Sequence, residues 1–239
     1  MTADHSAEIR LAKSQGIQVA LAVSVSGISF GALAVVSGFS VWHTMVLSLV
    51  MFSGASQFAL IGIIGTGGIA AWVPAVLTAA LLGLRNGLYA LRMSPIIGPG
   101  VAKRTVAAQW TVDESTAVGS NQTSVDAGRA GFWTTAIALY IGWNLATLAG
   151  ALLGDVVGDV RSYGLDAAAA AAFLGLVWPR LREGEPAFVA LGAAVLTVVL
   201  LPVVPPGIPV VVVAVVAIAV AIWRHNTRPI RPPRSESPS

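Results

Sequence analysis

The chain contains no cysteine. Disulfides, thiolate metal sites and cysteine nucleophiles are therefore excluded. Its three histidines, His5, His43 and His225, are too scattered to form a metal cluster, so no metal and no cofactor is expected. Charge is scarce. Only 10% of the residues are Asp, Glu, Lys or Arg, against roughly 25% in soluble domains, which leaves too little polar surface for a soluble protein. The formal net charge of +3 is spread over loops and the C-terminus, so no concentrated basic face exists for nucleic acid. There is no Gly-x-x-x-x-Gly-Lys-Ser/Thr loop, and ATP hydrolysis within this chain is excluded as an energy source. No span carries a Ser/His pair, paired aspartates or a His-Glu-x-x-His arrangement, so an enzyme is not expected.

What is present is apolar. Hydrophobic residues make up 56% of the 239, and mean hydropathy is +0.80. The expected fold is an all-α polytopic integral membrane protein with about seven transmembrane helices, multi-pass in the cell (inner) membrane. Its parts are a polar N-terminal segment (1–14), a transmembrane domain (15–224) and a disordered, basic, Pro/Ser-rich tail (225–239). The pI near 9.8 suits anionic lipid headgroups of the bilayer.

The spans are read in order. The run Gly16 to Phe39 follows Arg10 and Lys13 and contains Ala32-Leu33-Ala34, the form of a signal-peptide cleavage site. It also carries Gly27 and Gly31, the spacing that lets membrane helices approach closely, and it is read as the first span. The second runs from Val41 to Gly65, with Trp42 and His43 at its start. The third runs from Ile69 to Met93, closed by Pro95. Ala102 to Val118 reads as an interfacial amphipathic helix, the alternative being a segment that dips into the protein. A fourth span covers Phe132 to Leu153, a fifth ends at Trp178-Pro179, and the last two cover Pro186 to Leu201 and Ile208 to Trp223. Asp155 and Asp159 read as loop charges, and Asp166 as the N-cap of an alanine run. Seven continuous spans place the N-terminus outside, by counting Lys and Arg in alternate loops. Glycine-spaced spans recur at 16–65 and 132–178, which suggests two inverted three-helix repeats plus one extra helix.

Two spans hold polar residues where a bilayer least tolerates them. One contains Ser53, Ser56 and Gln57 around Gly54. The other contains Arg85, Asn86, Tyr89 and Arg92. Such positions combine cationic and N–H-rich groups with acceptors inside apolar surroundings. Gln57 offers both donor and acceptor, the serines add hydroxyls, and Gly54 permits the helix to open. Arg85 can grip a carboxylate with two prongs, with Asn86 beside it and Tyr89 on the same helical stripe. Asn144 is either a cavity-lining group or an interhelical bond. Plainer readings stand beside these: Gln57 bonded to a neighbouring helix, Arg85 snorkelling or in a structural ion pair, Arg92 an interfacial anchor. Asp113 and Glu114 are the candidates for carrying a coupling proton, because adjacent carboxyls in a poorly solvated site do not easily both ionise. An exposed pair with ordinary titration is the alternative.

Phe52-Ser53-Gly54-Ala55-Ser56-Gln57-Phe58, Arg85-Asn86-Gly87-Leu88-Tyr89 and the Asp113-Glu114 pair resemble signatures of the AzlC family, over roughly residues 15 to 225. One departure is Ser115, where a bulkier run is expected. The resemblance implies the large subunit of a two-component, proton-driven exporter of branched-chain or other small apolar amino acids. It also implies a small membrane partner resembling AzlD, for which the glycine faces Gly27/Gly31 and Gly150/Gly154 offer docking surfaces. The alternative function is a non-transporting membrane scaffold subunit.

Overall fold

The computed structural model describes residues 2–157 and 184–204, with isolated positions between 178 and 182 and between 208 and 220. Most of the expected fifth span, part of the seventh, Asp159, Asp166 and the tail lie outside the described residues.

Every described element is helical: α1 (Thr2–Ser24), α2 (Ser26–Val36), α3 (Val41–Val50), α4 (Gly54–Gly67), α5 (Trp72–Ile97), α6 (Val101–Gln109), α7 (Asp113–Ser120), α8 (Val125–Val157) and α9 (Gly184–Leu200). Among the described residues three stretches are long and apolar enough to cross a membrane: His5–Val36, Ile69–Ile97 and Val125–Val156. The second expected span, Val41 to Gly65, is divided into α3 and α4.

The polar N-terminal segment is helical from Thr2. No Gly or Pro interrupts it before Gly16, and its polar side chains find partners at the start of α8. His5 approaches Asp126 at 3.5 Å, Thr123 donates to Glu8, and Gln122 donates to Gln15.

α1 and α2 run alongside α8 and parallel to it. Gly16 meets Thr135, Gly27 meets Trp143 and Ala146, and Gly31 meets Thr147 and Ala151. A Cβ on Gly31 would overlap the Thr147 carbonyl, and one on Gly150 would overlap that of Ile28. The two glycine faces therefore close on each other. They are not the free docking surfaces expected from the sequence, because backbone-to-backbone approach leaves no room for a third helix there. The parallel course also differs from the opposed course that an inverted three-helix repeat starting at α8 would give.

The second span is broken. α3 starts beside the end of α2, where Ser40 caps it by accepting from the His43 amide. It is only ~15 Å long at 1.5 Å per residue, too short for ~30 Å of hydrocarbon. The chain turns at Met51-Phe52-Ser53, and α4 returns to the end it came from, so that Gly65 lies against Ser37. α3–α4 is a re-entrant hairpin. α5 then crosses to the opposite end, continuing through Pro95 to Ile97, where Arg129 donates to the Ile96 carbonyl at 3.0 Å.

α6–α7 repeats the device from that opposite end. α6 enters beside Gly98, whose carbonyl accepts from Arg104, and the chain turns at Trp110-Thr111-Val112. α7 comes back to Gly119, packed against Met93, Phe132 and Gly128. The single interfacial helix expected over Ala102 to Val118 is thus two helices that dip inward. The reason is local: Thr111 and Val112 leave the helical path, and Ser115 restarts it by accepting from the Val112 amide and donating to the Trp110 carbonyl. Each crossing helix followed by a hairpin forms one unit, and the two units are inverted relative to each other. This is an inverted repeat of different make-up from the one expected.

The topology regroups the charges. Arg10, Lys13, Lys103, Arg104 and Arg129 share the end where α1 begins, whereas the connections after α2 and α4 contain no Lys or Arg. By the positive-inside rule the α1 end is the one expected to face the cytoplasm, opposite to the orientation expected from seven continuous spans.

Candidate functional site

The two hairpin tips meet halfway along α8. Tyr140 lies ~22 Å along that helix from Val125 and ~26 Å from Val157 at 1.5 Å per residue. The ring of Phe52, at one tip, stands edge-on to Tyr140 at a centroid distance of 5.0 Å. Trp110, at the other tip, lies 5.4 Å from the same ring.

Breaking a helix orphans its last carbonyls, and in a bilayer each must find a donor within the protein. The end of α3 is met by three side chains. Gln109, from the opposing hairpin, donates to the Val50 carbonyl at 2.8 Å. Tyr140 donates to the Leu49 carbonyl at 3.2 Å, and Gln57 to that of Met51 at 2.7 Å. Sequence reading singled out Gln57 but missed Gln109 and Tyr140. The one available signal was an amide directly before Trp110 in a stretch taken for a surface helix.

Gln57 is fully buried and its amide is used at both ends, since Trp143 Nε1 donates to its Oε1 at 3.0 Å. Phe30, Phe58 and Trp143 pack around this bond. Gln57 therefore joins the broken helix to α8. Ser53 and Ser56 turn the other way, toward α5. Their hydroxyls lie 3.1 Å apart, and Ser56 donates to the Ala79 carbonyl at 2.9 Å. With Asn86 they supply the polar part of a cavity of about 390 Å³ between the first hairpin and α5. The rest of its wall is almost wholly carbon, including Leu60, Val76 and Ala80.

Arg85 sits midway along α5, ~20 Å from Trp72 and ~18 Å from Ile97. Its Nη2 lies 2.6 Å from a carboxylate oxygen of Asp113, at the first turn of α7 on the second hairpin tip. The Arg85 Nε has no partner among the described residues. Glu114 is half-buried beside Asp113. Ser115, the departure from the expected motif, holds the tip turn through its three hydrogen-bond contacts. Tyr89 is half-buried one turn beyond Arg85, and Arg92 is exposed at the end of that stripe. Asn144 lies one turn along α8 from Tyr140, donates to its carbonyl at 2.8 Å, and leaves its buried Oδ1 unpartnered.

The structure thus brings Ser53, Ser56 and Asn86 to one cavity and joins Arg85 to Asp113. Gln57 is turned toward α8, and Asn144 bonds within α8. Among the described residues no cluster of three or more His, Asp or Glu side chains is placed to hold a metal.

No curated protein and no solved structure matches the chain. A family model described as AzlC protein matches residues 18–157. The matched segment runs from within α1 to the last residue of α8 and so contains both hairpins, though it stops short of the 15–225 extent of the sequence resemblance. It takes in more than half of the 239 residues, and on that match the chain belongs to the AzlC family.

Proposed function

We propose that this chain is a secondary transporter that exports branched-chain or other small apolar amino acids across the cell membrane, driven by the proton gradient. Membership in the AzlC family supports a transport-related function. The observation that carries the finer reading is the Arg85–Asp113 pair at mid-depth between α5 and a hairpin tip. A zwitterion is complementary to an ion pair. Its carboxylate replaces Asp113 on Arg85, its ammonium replaces Arg85 on Asp113, and neither of these half-exposed charges is left without a partner. A proton on Asp113 removes the partner of the ammonium, so proton and substrate exclude one another. Mutual exclusion is the sign of coupling that an exchanger requires, because a proton entering then accompanies a substrate leaving. Glu114, next in the chain, is the second candidate to carry the proton.

Ser53, Ser56 and Asn86 line the path beside this pair, with Tyr89 one turn along. Gln57 and Asn144 act through the shape of the hairpin and α8. A small membrane subunit resembling AzlD completes the permease. The test is export of labelled valine, leucine and methionine from cells, with and without a small-subunit gene and with the proton gradient collapsed. Gradient-dependent export that Asp113→Asn abolishes, while gradient-free exchange persists, supports the reading. No export in any arm overturns it and favours the scaffold alternative.

A further inference from the structure

We propose that the cavity between the first hairpin and α5 receives the side chain of the transported amino acid, and that Gly83 sets how large that side chain can be. The proposal rests on the reading of the chain as an amino-acid exporter. The cavity is open on one side, and its volume of about 390 Å³ falls within the range of small-ligand pockets. The wall is carbon apart from Ser53 and Ser56 beside the hairpin tip and Asn86, the chain neighbour of Arg85. A ligand with a charged head at Arg85 and Asp113 and an apolar tail in the cavity matches this division.

Gly83 is the smallest residue in the wall and faces the tip of the first hairpin. A Cβ built on it meets only the Ser56 Oγ, at 3.5 Å, an ordinary van der Waals contact. Ser56 is itself held in place by its bond to the Ala79 carbonyl. A methyl group at position 83 is therefore accommodated by the fold and takes its volume from the cavity. One methylene in an apolar pocket changes discrimination by about ten- to two-hundred-fold.

The experiment measures competition between labelled leucine and labelled alanine for export by cells expressing Gly83→Ala, Gly83→Val, Gly62→Ala or the unaltered chain. Gly62 lies on α4 with open space around it and outside the cavity wall, so its variant serves as the control. The leucine-to-alanine ratio is expected to fall about tenfold or more in Gly83→Ala, to fall further in Gly83→Val, and to stay unchanged in Gly62→Ala. Thermal stabilisation of the purified proteins by each amino acid gives a second readout should transport be lost, and there leucine is expected to stop stabilising before alanine does. An unchanged preference in both readouts, with export or binding intact, overturns the pocket assignment. Absence of any amino-acid export or stabilisation in the unaltered chain overturns the exporter reading on which it rests.

Discussion

The Nε2 of Gln109 lies 2.8 Å from the carbonyl oxygen of Val50, although 59 residues separate them and they enter the molecule from opposite ends. One half-helix thus ends on a side chain carried by the other hairpin. The tips of two inverted units are tied through a backbone group that only a broken helix exposes.

Movement of the tips apart is the simplest way for a path to open, and the absence of native cysteine makes this directly measurable. With cysteines at Val50 and Gln109, a short reducible bifunctional thiol reagent is expected to abolish transport, and reduction is expected to restore it. Each single-cysteine chain should be insensitive. Full activity of the cross-linked protein would show that the tips stay together throughout the cycle.

Gln57 and Trp143 form the buried bond that anchors the first hairpin to α8. Trp143→Phe leaves the Gln57 Oε1 without a donor, at a cost of about 1–3 kcal/mol. Gln57→Ala leaves the Met51 carbonyl uncapped as well, and is expected to destabilise more. The double variant should cost less than the sum of the two single ones, because the second change removes a bond already lost. Thermal unfolding in detergent measures all three, and strict additivity would mean that the bond carries no coupling.

Gly31 and Gly62 differ only in what lies outside them. A methyl on Gly31 strikes the Thr147 carbonyl and the Ala151 amide of α8, whereas one on Gly62 meets nothing within 4 Å. Gly31→Ala is expected to lower folded yield severely. Gly62→Ala should be neutral or slightly stabilising, since alanine is favoured over glycine within helices by about 1 kcal/mol. Comparable yields of the two variants in the membrane would contradict the close packing of α2 on α8.

Orientation can be read by labelling single cysteines with a membrane-impermeant reagent applied to intact cells. The basic end, probed at Lys13 or Thr105, is expected to be protected until the cells are opened. The opposite end, probed at Ser40, should label at once. The reverse pattern would restore the orientation expected from uninterrupted spans.

Much of the chemistry was legible in the sequence. Serines, amides and an arginine within apolar runs mark positions that a bilayer tolerates only with partners, and both motif stretches fall at the hairpins or on the helix beside them. The helical path of His5–Val36, Ile69–Ile97 and Val125–Val156 was legible for the same reason, since long apolar runs must satisfy their backbone internally. Those runs carry the information in composition alone.

Direction of travel was not legible. Val41 to Gly65 has the length and apolarity of one crossing, and nothing local states that it turns back at Phe52. The turn is held by groups remote in sequence: Gln109 and Tyr140 on the α3 carbonyls, Trp143 on Gln57, and Ser37 against Gly65. Composition by itself determined that this chain is apolar, helical and free of cysteine chemistry. Only the tertiary structure decided that Arg85 meets Asp113 and that Arg10, Lys13, Lys103, Arg104 and Arg129 share one end. The physical reason is that a broken helix is stable only where distant side chains supply hydrogen bonds to its exposed backbone, and that supply exists only once the chain has folded.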